Sequence, residues 1–144
     1  MGAPYNDLFS KLEAAMKSVV DALGLDGVTV NTGMDDDELT VPYVVCNADS
    51  AGEEVVKDTG LMEVSARVIV ASEADAHDMT THRSRVATVF DAFMDDAIAA
   101  TLSSAVADFH CMDINIAGMD SDAEGRKHRN ILMIDAVCCG SDLT

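Results

Sequence analysis

A chain of 144 residues can bury about 70% of the surface its unfolded form exposes, and a hydrophobic content of 49% excludes a disordered tail. A net charge of -17 excludes nonspecific attraction to nucleic acid or to anionic membrane surfaces. With 4% aromatics and no Trp, the core must be built from Val, Ile, Leu, Met and Ala.

The opening "MGAPYNDLF" lacks the basic and apolar regions of a signal peptide, so cytoplasmic synthesis is expected. From Asn6 to Leu23, Leu8, Phe9, Leu12, Ala15, Met16, Val19, Val20 and Leu23 recur on one helical stripe, with Asn6 as N-cap and Gly24 as the stop. "GVTVNT" predicts a short strand. "GMDDDEL" has no apolar periodicity, and "VPYVVCN" predicts a second strand with Pro42 near its start, where a missing amide proton costs least.

"NADSAGEEVVKDTG" is expected to be a polar connection leading into the clearest strand, "LMEVSARVIVAS". There Met62, Val64, Ala66, Val68 and Val70 alternate with Glu63, Ser65, Arg67 and Ile69, so the first set should pack on the core. Leu61 and Ile69 are candidates for a second packing surface on the opposite face. A helix follows from about Ala76 to Asp95 with Met79, Val86, Val89, Phe90, Phe93 and Met94 as its stripe, continued by Ala97, Ile98, Leu102 and Val106 after a break near Asp95 and Asp96. Val64, Val68 and Phe90 are expected to be buried where strand and helix meet. Two strands close the chain: "FHCMDINIA", with Met112, Ile114 and Ile116 on one face, and "NILMIDAVCC", with Leu132, Ile134, Ala136 and Cys138.

This order predicts an α+β fold, a four- to five-stranded antiparallel or mixed sheet with two main helices packed on one face. No apolar run approaches the roughly 20 residues that span a bilayer, and no linker divides the chain, so a single domain over residues 1–144 is expected.

The sharpest chemical question sits in "MDSDAEGRKHRN". Asp120, Asp122, Glu124 and Gly125 match the first half of an EF-hand calcium loop, in which alternate oxygens converge on one ion and the glycine allows the turn. The match then fails, because Ile131 stands where a bidentate glutamate must complete the shell, and Arg126, Lys127 and Arg129 add cations beside the ion. Both flanks also read as strand. Asp120 to Arg129 is therefore expected to be a long charged hairpin loop and not a metal site.

Asp35, Asp36, Asp37 and Glu38 cannot all converge on one ion because they are consecutive, and they are read as a solvated, self-repelling loop. Cys46, Cys111, Cys138 and Cys139 contain no C-x-x-C pair, and adjacent strand residues point to opposite faces, so buried free thiols are expected. His77, His82, His110 and His128 have no catalytic spacing. H-E-x-x-H, G-x-S-x-G, the phosphate loop and G-x-G-x-x-G are missing, which leaves no positive reason to propose an enzyme or a cofactor.

The scarce bases are more informative. Of nine Lys and Arg, three lie in "GRKHR" and two in "THRSRV". Arg83 and Arg85 fall early in the long helix, where the dipole disfavours cations, so a carboxylate is expected nearby, either from the same chain or from a neighbour. In an acidic chain, Arg83, Arg85, Arg126, Lys127 and Arg129 facing Asp35 to Glu38 of another copy would allow head-to-tail docking.

The succession "VPYVVCN", "TGLMEVSARVIVAS", "DAHDMTTHRSRVATVFDAFMDD" and "GRKHRNILMIDAV" resembles tail-terminator and related head-to-tail joining (neck) proteins of tailed bacteriophages, over roughly Val41 to Cys139. The helix from Asn6 to Leu23 fits the N-terminal helix of such proteins. The resemblance implies a small α+β subunit without catalysis, located in the virion. It would form a ring, commonly hexameric, that caps the tail tube and meets neck or head-completion proteins, with no membrane contact. DNA would pass through the lumen without sequence-specific binding. The extreme acidity departs from the family in degree, and a DNA-lining lumen or a saline habitat would each account for it. An oligomeric binding or adaptor module unrelated to phage, and a small enzyme with an intersubunit site, stay open as alternatives.

If Asp120 to Ile131 is a hairpin, millimolar calcium should change the melting temperature no more than an equal ionic strength of sodium chloride does. A saturable calcium isotherm that disappears in Asp120→Ala would contradict this.

Overall fold

The computed structural model describes residues 4–33, 40–56, 61–73, 79–124 and 127–140. Chain order is α1 (Pro4–Ala22), β1 (Thr29–Thr32), β2 (Tyr43–Val56), β3 (Leu61–Glu73), α2 (Met79–Met94), α3 (Ile98–Ala105), β4 (Phe109–Glu124) and β5 (Lys127–Gly140). The strands form one mixed sheet ordered β1-β2-β3-β5-β4, in which β1 and β2 are parallel and the other pairs antiparallel. The three helices contribute to one core on one face of the sheet, an α+β arrangement.

The alternation in β3 dictates the centre of the core. Met62, Val64, Ala66, Val68 and Val70 are all buried and face Leu8, Leu12, Met16 and Val20 of α1, Val89 and Phe93 of α2, and Ile98 and Leu102 of α3. Leu132, Ile134, Ala136 and Cys138 of β5 extend that face, and Phe109 and Cys111 of β4 close it. The opposite face is not uniformly solvated. Tyr43, Val45, Ile69 and Ala71 form a second buried cluster there, joined by half-buried Val41 and Ile131. Lys127 places its ammonium 5.2 Å from the centre of the Tyr43 ring. β2 and β3 are thus buried on both faces over this stretch.

Polar ties fix how the helices lie. Glu13 of α1 accepts a hydrogen bond from the Ala48 amide of β2 at 2.8 Å, and Lys11 donates to the Asp108 carbonyl at 3.0 Å. Ser103 of α3 accepts from the Cys111 amide at 2.9 Å, which anchors α3 to β4. Gly24 ends α1 with φ +63, where a side chain would be strained.

Several expectations are corrected. α1 begins at Pro4, a residue suited to the first helical turn because it has no amide proton to leave unpaired, so Asn6 lies within the helix. The supposed polar connection after Asn47 is in its first part strand: β2 continues to Val56, with register shifts that admit its extra residues. The long hairpin loop is also mostly strand, since β4 runs to Glu124 and β5 starts at Lys127. Met112 does not join Ile114 and Ile116. It sits at an irregularity between Cys111 and Asp113 and is 59% exposed. The proposed start of α2 at Ala76 lies outside the described residues.

Phe90 is only half-buried, whereas Phe93 is 2% exposed. The stripe sits one position round, because His82, Val89 and Phe93 are the α2 side chains turned to the sheet. Phe93→Ala should therefore cost about 3 to 5 kcal/mol and Phe90→Ala distinctly less. Urea titrations of both variants check the register, and equal losses would rotate the helix.

Candidate assembly surface

The expected interface bases now have individual surroundings. Arg129 holds Asp122 across the β4–β5 hairpin with two hydrogen bonds, Nε to Oδ1 at 2.9 Å and Nη2 to Oδ2 at 2.7 Å. That side-on geometry pairs the two charges within one chain. Lys127 lies over Tyr43, and Arg85 donates to the Ser72 hydroxyl at 3.1 Å, tethering α2 to β3. Arg83 is different. It is exposed and makes no hydrogen bond or ion pair among the described residues, unlike every other described Lys and Arg. Arg126 and Asp35, Asp36, Asp37 and Glu38 lie outside the described residues.

Arg83 stands over a hollow of about 260 Å³ between α2 and the sheet. Val86, Ala87, Phe90 and Met119 make it mostly apolar, and His82 and Asn130 form its polar end. His82 is 3% exposed. Its Nε2 lies 2.7 Å from Asn130 Oδ1 and must donate, because an amide oxygen can only accept; Asn130 in turn points its amide nitrogen at the Met119 sulfur, 3.6 Å away. His82 Nδ1 is buried and has no hydrogen-bond partner among the described residues. The His128 ring centre lies 6.1 Å away.

The same seam continues along α2 and β4 into a second hollow of about 420 Å³, floored by Phe93, Ile114 and Ile116 and rimmed by Asp95, Asp96 and Asp113. Asp95 accepts from the Ala97 amide just ahead of α3 at 2.8 Å, and Asp113 accepts from the Ile114 amide at 2.9 Å. The seam therefore has an arginine at one end and carboxylates at the other. Among the described residues no group of three or more His, Cys, Asp or Glu could hold a metal ion.

Reading the sequence singled out Arg83 but not its groove. Asn130 and Met119 were missed; the available signal was one polar residue interrupting the apolar alternation of β5 ahead of Leu132, Ile134 and Ala136.

No protein-family model matches the sequence, and no curated protein matches it. The fold is similar to that of a chain in a solved structure, the virion of a native gene transfer agent (GTA) particle. The two superpose with a TM-score of 0.61 at 16% sequence identity, covering 97% of this chain and 100% of that chain. At that identity what they share is the fold, and they share it from end to end.

The cysteines are free thiols packed as small hydrophobes. Burial pushes the Cys46 thiol up to about 12, with Asp21 and Glu13 adding to it. Burial likewise raises Cys138 to about 12, reinforced by Cys111 and Cys139, and Cys111 to about 11. A folded-state value above the ordinary 9.0 means the native chain keeps protons that the unfolded chain releases. Their contribution is complete below about pH 9 and is lost as the pH rises towards 12. Denaturation midpoints should fall over that window more steeply than in Cys46→Ala, and iodoacetamide at pH 8 should label Cys46, Cys111 and Cys138 only after unfolding.

Proposed function

We propose that this chain is a structural virion protein of a phage-like particle, a tail terminator or neck subunit in a closed ring through which DNA passes. The observation that supports this best is the end-to-end likeness of fold to a chain of the gene transfer agent virion. The order of elements in the sequence leads independently to the same class of protein.

The charge distribution is consistent with such a role. A ring built head to tail needs two different patches that complement each other, and in a chain of net charge -17 the few bases are natural anchors for a neighbour's acids. Arg83 is the described base best placed for this. Arg85, Arg126, Lys127 and Arg129 are further candidates, with Asp35, Asp36, Asp37 and Glu38 as their counterparts. An acidic lumen would repel the DNA polyanion, which favours sliding over sticking. On this reading the ring, expected to be hexameric, meets the tail tube on one side and neck or head-completion proteins on the other. It needs no catalysis, cofactor or membrane.

Deleting the gene from the particle's producer should leave heads and tails unjoined, and adding back the purified protein should join them. Joined, DNA-delivering particles made without the protein would overturn the proposal. So would a wild-type protein that stays monomeric by light scattering both alone and with purified tails.

A further inference from the structure

From the α2–β4 groove we infer the docking site within that ring: it receives the segment Met34 to Leu39, "MDDDEL", of the adjacent copy, with Arg83 pairing the acids. This rests on the ring reading and deepens it. Three observations lead to the assignment.

The first is the uncommitted charge. In an acidic protein whose other described Lys and Arg are all engaged, Arg83 is exposed, without a partner among the described residues, and at the rim of an apolar hollow. It also sits early in α2, whose first turn carries no acid, so a carboxylate arriving there would meet both the guanidinium and the positive end of the helix.

The second is the composition of the occupant. "MDDDEL" places four consecutive acids between two apolar side chains. A groove with an apolar lining of Val86, Ala87, Phe90 and Met119 and a cationic rim complements both properties: Met34 or Leu39 enters while the carboxylates stay at Arg83.

The third is position. The segment joins β1 to β2, at one edge of the sheet, and the groove lies beside β4, at the other. Four strand spacings of about 4.8 Å separate those edges by about 19 Å. A contact between that segment of one copy and the groove of the next joins opposite edges of the sheet, which is heterologous and propagates from one subunit to the next, as a ring requires.

The test uses the full chain. Arg83→Glu, with its circular dichroism and melting curve unchanged, should lose assembly by light scattering. Arg83→Lys should retain it in part, and adding Asp35→Lys, Asp36→Lys and Asp37→Lys to Arg83→Glu should restore it by exchanging the charges. Ala87→Cys together with Leu39→Cys should give, under mild oxidation, a disulfide-linked ladder on a non-reducing gel that extends past the dimer and collapses on reduction. Assembly of the wild type with normal assembly of Arg83→Glu and no cross-link would overturn this docking site while leaving the ring intact. A ladder that stops at the dimer would overturn the heterologous arrangement. A wild type that never assembles, alone or with tails, would overturn the ring reading and this inference with it.

Discussion

Twelve consecutive residues of β3, Met62 to Glu73, face Cys138 back to Lys127 of β5 without a single shift in register, and the rest of the sheet is hung on that ladder. Because side chains alternate with period two, one slipped residue would turn Val64, Val68, Leu132 and Ile134 out of the core together. The outer pairs β2–β3 and β4–β5 each absorb irregularities, but the central pair does not. The helices then have one continuous apolar surface to cover, and polar ties at Glu13 and Ser103 help to fix α1 and α3 to it.

The charge of the protein is organised around this frame. Pairing β4 with β5 brings Asp122 opposite Arg129, residues that look like parts of a calcium loop and a basic patch when read along the chain. Across the ladder they neutralise each other. Arg85 is turned towards the buried Ser72 by the pitch of α2. Arg83, two residues earlier, lies about 200° further round the helix and so cannot share that environment. One turn of a helix thus divides two neighbouring bases into an internal tether and a free anchor.

The seam between α2 and β4 follows from the break after Met94. Asp95 holds the turn into a new helix, α3, by accepting from the Ala97 amide, and α3 packs against β4 through Ser103, so α2 is left to cover its own part of the sheet. Its half-buried Val86 and Phe90 border hollows instead of a closed contact. β4 is the edge strand there, with backbone groups on its outer side facing away from the sheet. Apolar lining, open edge and unpaired arginine coincide on one side of the molecule.

The sequence by itself determined the class of fold, the alternation of β3 and β5, the stripe of α1 and the break between α2 and α3, because each is a local periodicity that burial on one face imposes. It also pointed to the scarce arginines. It could not determine where polar stretches become strand: the residues after Asn47 and those from Asp120 to Glu124 carry no apolar pattern and are extended because β3 and β5 supply their hydrogen-bond partners. Nor could it separate Phe90 from Phe93, since both belong to one stripe and only the angle at which α2 meets the sheet decides which is enclosed. The functional distinction between Arg83 and Arg129 was likewise set by tertiary structure, because whether a charge is free depends on what another strand places opposite it.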